Sequence, residues 1–178
     1  MSTTMQIALE RIDVIVVSAL LGPGPAGVYG SLSRYISAGN FLIFSVGQAM
    51  STHLRRAIAG GEMARARMLL QRTTGWVVLV AWPYFLLVAT KPEPLARLIS
   101  DAYGSDAEIL PILAVGMMVS AFAGPIDLTL LMLGRSQSSL AGMAIAMATD
   151  IVLLFALAPP FGLVGAAIAW SAAVAVQN

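Results

Sequence analysis

Long stretches without charge are the feature that most constrains this sequence. Residues 35–52, 73–90 and 109–126 each run for 18 positions with no Asp, Glu, Lys or Arg, and residues 136–178 contain one charge, Asp150. A helix that crosses the hydrocarbon core of a bilayer needs about 20 mostly apolar residues. Charged residues make up only 11% of the chain, against roughly 25% in a typical soluble domain. The mean hydropathy is +0.85. We therefore predict an integral membrane protein.

The turns and charged segments between these stretches divide the chain into six predicted transmembrane helices. Clusters of Gly and Pro, such as residues 22–25 and 159–162, end a helix or separate two helices. The predicted spans are residues 5–21, 28–54, 73–90, 109–133, 139–158 and a sixth that starts near 165. We therefore predict an all-α, polytopic bundle in which residues 1–178 form a single domain. The sixth span is short, so we expect the chain to be cut inside this last helix.

The predicted loops differ in charge, which gives an expected orientation. Residues 55–72, after the second span, hold five Arg and one acid, whereas residues 91–108 hold two bases and four acids. Lys and Arg are concentrated in cytoplasmic loops. We therefore predict that the Arg-rich loop and the N-terminus are cytoplasmic and that the acidic loop is external.

No residue pattern indicates catalysis or a bound cofactor. Residues 22–27 match G-x-G-x-x-G, but two variable positions are Pro, which lacks the N–H that holds a pyrophosphate. The chain has no Cys, one His and no Walker loop, so we predict neither a metal site nor an ATP site. We expect no enzyme activity and no cofactor. The net charge of +1 does not indicate a nucleic-acid partner.

Five charged residues fall at hydrocarbon depth and form the candidate site: Arg11, Asp13, Arg34, Asp127 and Asp150. Each costs about 2.5–3.5 kcal/mol on insertion scales and must face another charge or water. Arg11 and Asp13 point about 200° apart on one helix, so they cannot pair with each other. Asp13 is the nearest candidate counter-charge for Arg34. Two interpretations stay open: salt bridges that only join helices, or a polar transport cavity.

Helix-breaking residues also fall inside two predicted spans. Pro83 lies within the third span, and Gly124 and Pro125 lie within the fourth, just before Asp127. Irregular backbone at membrane depth is tolerated where it lines protein or water, and transporters use broken helices of this kind. We therefore predict hinges or kinks at Pro83, Gly124 and Pro125.

Short motifs follow one another along the chain in a recognisable order. They are Arg11-Ile12-Asp13, Leu21-Gly22-Pro23, Ala26-Gly27-Val28-Tyr29, Leu110-Pro111-Ile112-Leu113, Leu133-Gly134-Arg135 and residues 160–167. This ordered set resembles the C-terminal lobe of the polysaccharide flippases in the multidrug and oligosaccharidyl-lipid exporter superfamily. One departure is Asp150, which stands where that family often has Asn.

The resemblance implies one six-helix lobe of a two-lobe, MATE-like transporter. Such a protein moves undecaprenyl-diphosphate-linked oligosaccharide across the bacterial plasma membrane for polysaccharide biosynthesis. By this resemblance Arg11, Arg34 and Asp13 would line the substrate cavity, and Asp150 and Asp127 would be candidate ion- or proton-coupling residues. The implied partners are the lipid-linked oligosaccharide, membrane lipid, a missing N-terminal lobe, and the polymerase and glycosyltransferases of the same pathway.

Two other functions remain open. The first is a drug or cation exporter lobe of the same superfamily, which would have a cavity dominated by acids. The second is a non-transporting membrane scaffold of polysaccharide export, in which all five buried charges would pair among themselves.

Overall fold

The computed structural model describes residues 13–124 and 136–177, and its regular elements are all helical. Over these ranges the predicted all-α class is confirmed. Residues 13–21 form α1. The later helices are α2 (Pro23–Ala59), α3 (Met63–Thr90), α4 (Pro92–Ile99), α5 (Ile109–Ala123) and α6 (Ser136–Gln177), and a 3₁₀ helix, Asp101–Asp106, lies between α4 and α5.

The Gly-Pro segment after α1 is a single break rather than a loop. Gly22 has a φ of 93°, a conformation that suits Gly, and α2 begins at the next residue. Pro is tolerated in a first helical turn because the N–H groups there have no intrahelical partner. Our prediction that residues 22–25 leave the helix is therefore wrong for residues 23–25, and α2 starts before the predicted residue 28.

α2 and α3 form a long antiparallel hairpin. The turn is tight: Gly61 has a φ of 72°, and the Glu62 N–H donates to the Ala57 carbonyl at 2.9 Å. The 37 residues of α2 and the 28 of α3 correspond to about 55 Å and about 42 Å of helix, against a hydrocarbon core of about 30 Å. Both helices extend past their predicted cytoplasmic ends because the residues beyond are mostly Arg, Ala and other good helix formers.

Close contacts fix the register of this hairpin. The rings of Tyr84 and Phe85 lie against Gly39, where any Cβ would overlap them. Nearer the turn, Leu54 packs with Ala66 in a small second hydrophobic cluster. Moving along α2 toward the turn therefore corresponds to moving along α3 toward its N-terminal end.

α5 lies against α3, α6 and α2 and covers only the first part of the predicted fourth span. It ends at Ala123 because Gly124 takes a φ of 80°. Gly124 packs against Thr74 of α3 so closely that a Cβ would overlap the threonine side chain. Pro125 and the rest of that span, to residue 133, lie outside the described residues.

α6 is kinked at Gly162, where the backbone leaves helical geometry with φ 59° and ψ −136°. Gly165 then lies against the Leu157 carbonyl, and only a residue without a Cβ fits there. The arms on either side of Gly162 contain the predicted fifth and sixth spans. The second arm is fixed to α5 by the Ser171 hydroxyl, which donates to the Ile112 carbonyl at 3.1 Å.

The main core contains buried side chains from all six helices. By length and composition, two helices in the described part of the chain, α3 and α6, could cross a membrane, and α5 is apolar but shorter. Because only two of the described helices meet both criteria, the six-span arrangement is given below as part of the proposed function.

Candidate functional site

Five of the eight predicted site residues lie in the described ranges. Pro83 is inside α3, which continues through it, and Gly124 ends α5. Asp13 belongs to α1, Arg34 to α2 and Asp150 to the first arm of α6. The remaining three, Arg11, Asp127 and Pro125, lie outside the described residues.

The structure brings together two of the predicted acids, Asp13 and Asp150. They are 8% and 7% exposed, and their carboxyl groups lie close enough to interact electrostatically. Two ionised carboxylates buried this close together would repel each other, and a proton held between them would relieve that repulsion. The pair can therefore hold one proton, or exchange it for a cation placed between two carboxylates.

A third polar group, the phenol of Tyr29, completes this buried cluster. Tyr29 is buried on α2, within electrostatic range of both carboxyl groups. The second oxygen of Asp150, Oδ1, has no hydrogen-bond partner among the residues described. Tyr29 was not among the site residues predicted from the sequence. The available signal was its helical spacing from two other positions on the buried face of α2, Ala26 and Leu32.

The acid pair is not part of a larger metal-binding group in the described ranges. They contain no cluster of three or more His, Cys, Asp or Glu side chains that could hold a metal ion. The arrangement therefore supplies two carboxyl groups and one phenol, a set of oxygen ligands suited to a proton or a hard cation.

Arg34 lies apart from the acid pair, on the exposed side of α2. Its guanidinium makes no ion pair within 4.0 Å and no hydrogen bond to any described residue. The suggested pairing of Arg34 with Asp13 is not formed, because Asp13 is buried beside Asp150 whereas Arg34 is exposed.

Arg34 stands at one end of a polar row, which we call the α2 polar face. Its members are exposed and recur every three to five residues over about five helical turns. They are Arg34, Ser37, Asn40, Ser45, Gln48 and Thr52. The Ser45 hydroxyl donates to the Phe41 carbonyl at 2.7 Å, whereas the amides of Asn40 and Gln48 bond to none of the residues described. Of these residues only Arg34 was predicted from the sequence, although the others recur with a helical period inside an uncharged run.

Two tyrosines fix the backbone beside Arg34. The Tyr84 hydroxyl of α3 donates to the Tyr35 carbonyl at 2.8 Å. The Tyr35 hydroxyl in turn donates to the Leu95 carbonyl of α4, also at 2.8 Å. The part of α2 that carries Arg34 is therefore held by both α3 and α4.

Comparisons of the chain with protein-family models, curated proteins and solved structures find no match. The functional interpretation therefore rests on the acid pair and the α2 polar face. These features lie on different sides of α2, since Tyr29 is buried and Arg34 is exposed.

Proposed function

We propose that this chain is a membrane-embedded lobe of a flippase that moves a lipid-linked oligosaccharide diphosphate across the bacterial plasma membrane. The observation that carries the proposal is the α2 polar face, on a chain whose other long helices expose apolar side chains. Each unpaired polar group turned toward lipid costs free energy. We therefore assign this face to a water-filled cavity, closed on its other side by an N-terminal lobe.

Arg34 is the residue that we assign to the diphosphate. A guanidinium is always charged, and its planar set of donors matches phosphate oxygens. Without a carboxylate partner among the described residues, Arg34 is available to a ligand. Asn40 and Gln48 carry both donors and acceptors, which suits sugar hydroxyls. Arg11 would add a second cation by the family resemblance.

The acid pair is the site that we assign to coupling. Asp13 and Asp150 join α1 to α6, and gain or loss of a proton shared between them would change the charge at that contact by one. By the resemblance Asp13 would line the cavity, but its burial beside Asp150 favours a coupling role instead. Asp127, the other candidate coupling residue, lies outside the described residues.

The proposed topology is six spans with the N-terminus in the cytoplasm. It rests on the Arg-rich end of the α2–α3 hairpin against the acidic segment 91–108. The chain has no Cys, so Ala64→Cys and Ser105→Cys each introduce a single thiol. An impermeant maleimide added outside cells should label the cysteine at 105 only. Labelling only at 64 would contradict this orientation.

Binding of a simple lipid diphosphate tests the central role of Arg34. The purified chain in detergent is titrated with undecaprenyl diphosphate, and binding is read from tryptophan fluorescence. Because a hydrogen bond to a charged group contributes about 1.5–3 kcal/mol, Arg34→Ala should weaken binding about tenfold or more, and Arg34→Lys should weaken it less. The matched control is Arg97→Ala, which removes an exposed arginine that is paired with Glu93. Equal affinity of wild type and Arg34→Ala would overturn the assignment.

A drug or cation exporter lobe is the second candidate, and the buried acid pair favours it. Such a protein would bind a lipophilic cation through its acids. Tetraphenylphosphonium binding that is abolished by Asp150→Asn and unaffected by Arg34→Ala would support the exporter over the flippase. The scaffold hypothesis requires every buried charge to be paired, whereas Arg34 has no ion-pair partner in the described ranges.

A further inference from the structure

The turn end of the α2–α3 hairpin carries a group of exposed arginines. Four of them have no carboxylate within 4.0 Å in the ranges the structure describes. They are Arg55, Arg56, Arg67 and Arg72, which we call the arginine collar. Arg65 differs, because it forms an exposed ion pair with Glu62 at 3.0 Å.

The collar stands on a packed platform rather than on a loop. Beneath it, Leu54 and Ala57 of α2 pack with Ala66 of α3, and Leu69 and Leu70 lie against them. This cluster is separate from the main core. The four guanidinium groups are therefore carried by helices whose relative position is fixed.

The collar residues lie within about two helical turns of one another along the hairpin. Counting back from the end of α3 at Thr90, Arg72 is about 27 Å away and Arg67 about 35 Å, at 1.5 Å per residue. The packing of Leu54 and Ala57 against Ala66 places Arg55 and Arg56 close to the level of Arg67. In the proposed orientation α3 enters the hydrocarbon at Thr90 and leaves it about 30 Å further on. The collar then lies at the inner boundary, where lipid phosphates are found.

We propose that the arginine collar binds the phosphate groups of anionic phospholipids in the inner leaflet. Arg67 and Arg72 point about 140° apart around α3, so a single lipid-linked diphosphate could not contact the whole collar, whereas several surrounding headgroups can. Exposed Met63 and Met68 place apolar side chains beside the arginines. The inference rests on the membrane insertion in the proposed function, but not on transport or on Arg34.

Selectivity for spin-labelled lipids tests the proposal directly. The full chain is reconstituted in phosphatidylcholine bilayers that contain spin-labelled phosphatidylglycerol or, separately, spin-labelled phosphatidylcholine. We expect stronger association of the phosphatidylglycerol label, and a decrease in this preference as salt rises, because counterions screen the arginines. Equal association of the two labels with the wild-type chain would overturn the proposal.

Substitutions assign the selectivity to the collar. Since an arginine near an anionic surface contributes about 1 kcal/mol, each single change of a collar arginine to Gln should lower the preference up to about fivefold. The fourfold variant should show none. Arg97→Gln, on α4 beyond the far end of α3, should keep the wild-type preference, and circular dichroism checks that each variant is folded. Retained preference in a folded fourfold variant would overturn the collar assignment.

A competition experiment distinguishes two possible ligands of the collar, bulk phospholipid and the transport substrate. Undecaprenyl diphosphate, added at the concentration of the labelled phosphatidylglycerol, should leave the collar preference unchanged. If it displaces phosphatidylglycerol in wild type but not in the fourfold variant, the collar binds lipid-linked diphosphate, and the bulk-lipid proposal is wrong. Arg34→Ala should not alter the phosphatidylglycerol preference, so failure here and failure of the Arg34 assignment are separate results.

Discussion

α2 and α3 lie side by side over most of their length, yet their exposed surfaces differ in composition. Between residues 34 and 52, the exposed positions of α2 hold six polar residues, two Phe and two Ala. The exposed positions of α3 between 75 and 87 hold only Gly, Trp, Leu, Val and Pro. α5 and the arms of α6 resemble α3, with exposed residues such as Val119, Val152 and Phe155.

This difference shows that two neighbouring helices of one bundle can have exposed surfaces suited to different surroundings. The surface of α3 suits lipid tails, which offer no hydrogen bonds. The α2 polar face suits water, sugar or phosphate, and it begins at an arginine without an ion-pair partner in the described ranges. The predictions below compare matched positions on the two helices.

The largest expected effect comes from placing the same charge on each surface. The hairpin register puts Ser45 of α2 at the same depth as Leu79 of α3, which is 61% exposed. Leu79→Lys should cost about 2.5–3.5 kcal/mol of insertion free energy, the penalty for a charge near a span centre. Ser45→Lys should cost much less, because it faces the proposed cavity. The measurement is the fraction of each variant recovered in membranes. Equal losses of membrane-inserted protein would mean that the two surfaces do not differ in their surroundings.

The next largest expected effect is a loss of stability, caused by a change on the buried side of α2. Gly39→Ala places a methyl group into the rings of Tyr84 and Phe85 and should destabilise the hairpin by about 1–3 kcal/mol through overpacking. Gly75→Ala is the matched change on α3, with no described atom within 4 Å of its added Cβ. It should be neutral or stabilise the helix by up to about 1 kcal/mol. Thermal unfolding in detergent, followed by circular dichroism, checks both variants. A more stable Gly39→Ala protein would show that α2 and α3 do not pack this closely.

The smallest effect concerns the hydrogen bond that fixes α2 beside Arg34. Tyr84→Phe removes only the hydroxyl that donates to the Tyr35 carbonyl and should cost about 0.5–1.5 kcal/mol in the same unfolding measurement. Tyr103→Phe is the control, because no described residue accepts a hydrogen bond from that hydroxyl. An identical small loss of stability in both variants would mean that the Tyr84 hydroxyl does not help to position Arg34.

The helical segments were largely predictable, and their ends were not. Charge-free runs identified the central parts of α2, α3 and α6, since burial of apolar surface and backbone hydrogen bonding act on whole segments. The start of α2 at Pro23 was missed because a Pro that breaks a helix interior is harmless in a first turn. The break at Gly162 was expected from the Gly and Pro cluster at residues 159–162.

Individual site residues could be predicted from the sequence, but the contacts between them could not. Insertion cost alone selected Asp13, Arg34 and Asp150. Which of them meet depends on how α1, α2 and α6 pack, and one sequence does not contain that information. Proximity along the chain suggested Asp13 for Arg34, whereas packing brings Asp13 to Asp150 and Tyr29.

Water accessibility along α2 and α3 tests the central claim most directly. The chain has no Cys, so each variant carries a single thiol, at Ser37→Cys or Gln48→Cys on α2 and at Leu79→Cys or Leu86→Cys on α3. Membranes made permeable to the reagent are treated with a small, charged, water-soluble maleimide, without detergent. We expect labelling at 37 and 48 and none at 79 and 86, because the maleimide reacts only where water reaches the thiol. Equal protection of all four positions would mean that the α2 polar face does not line an aqueous cavity.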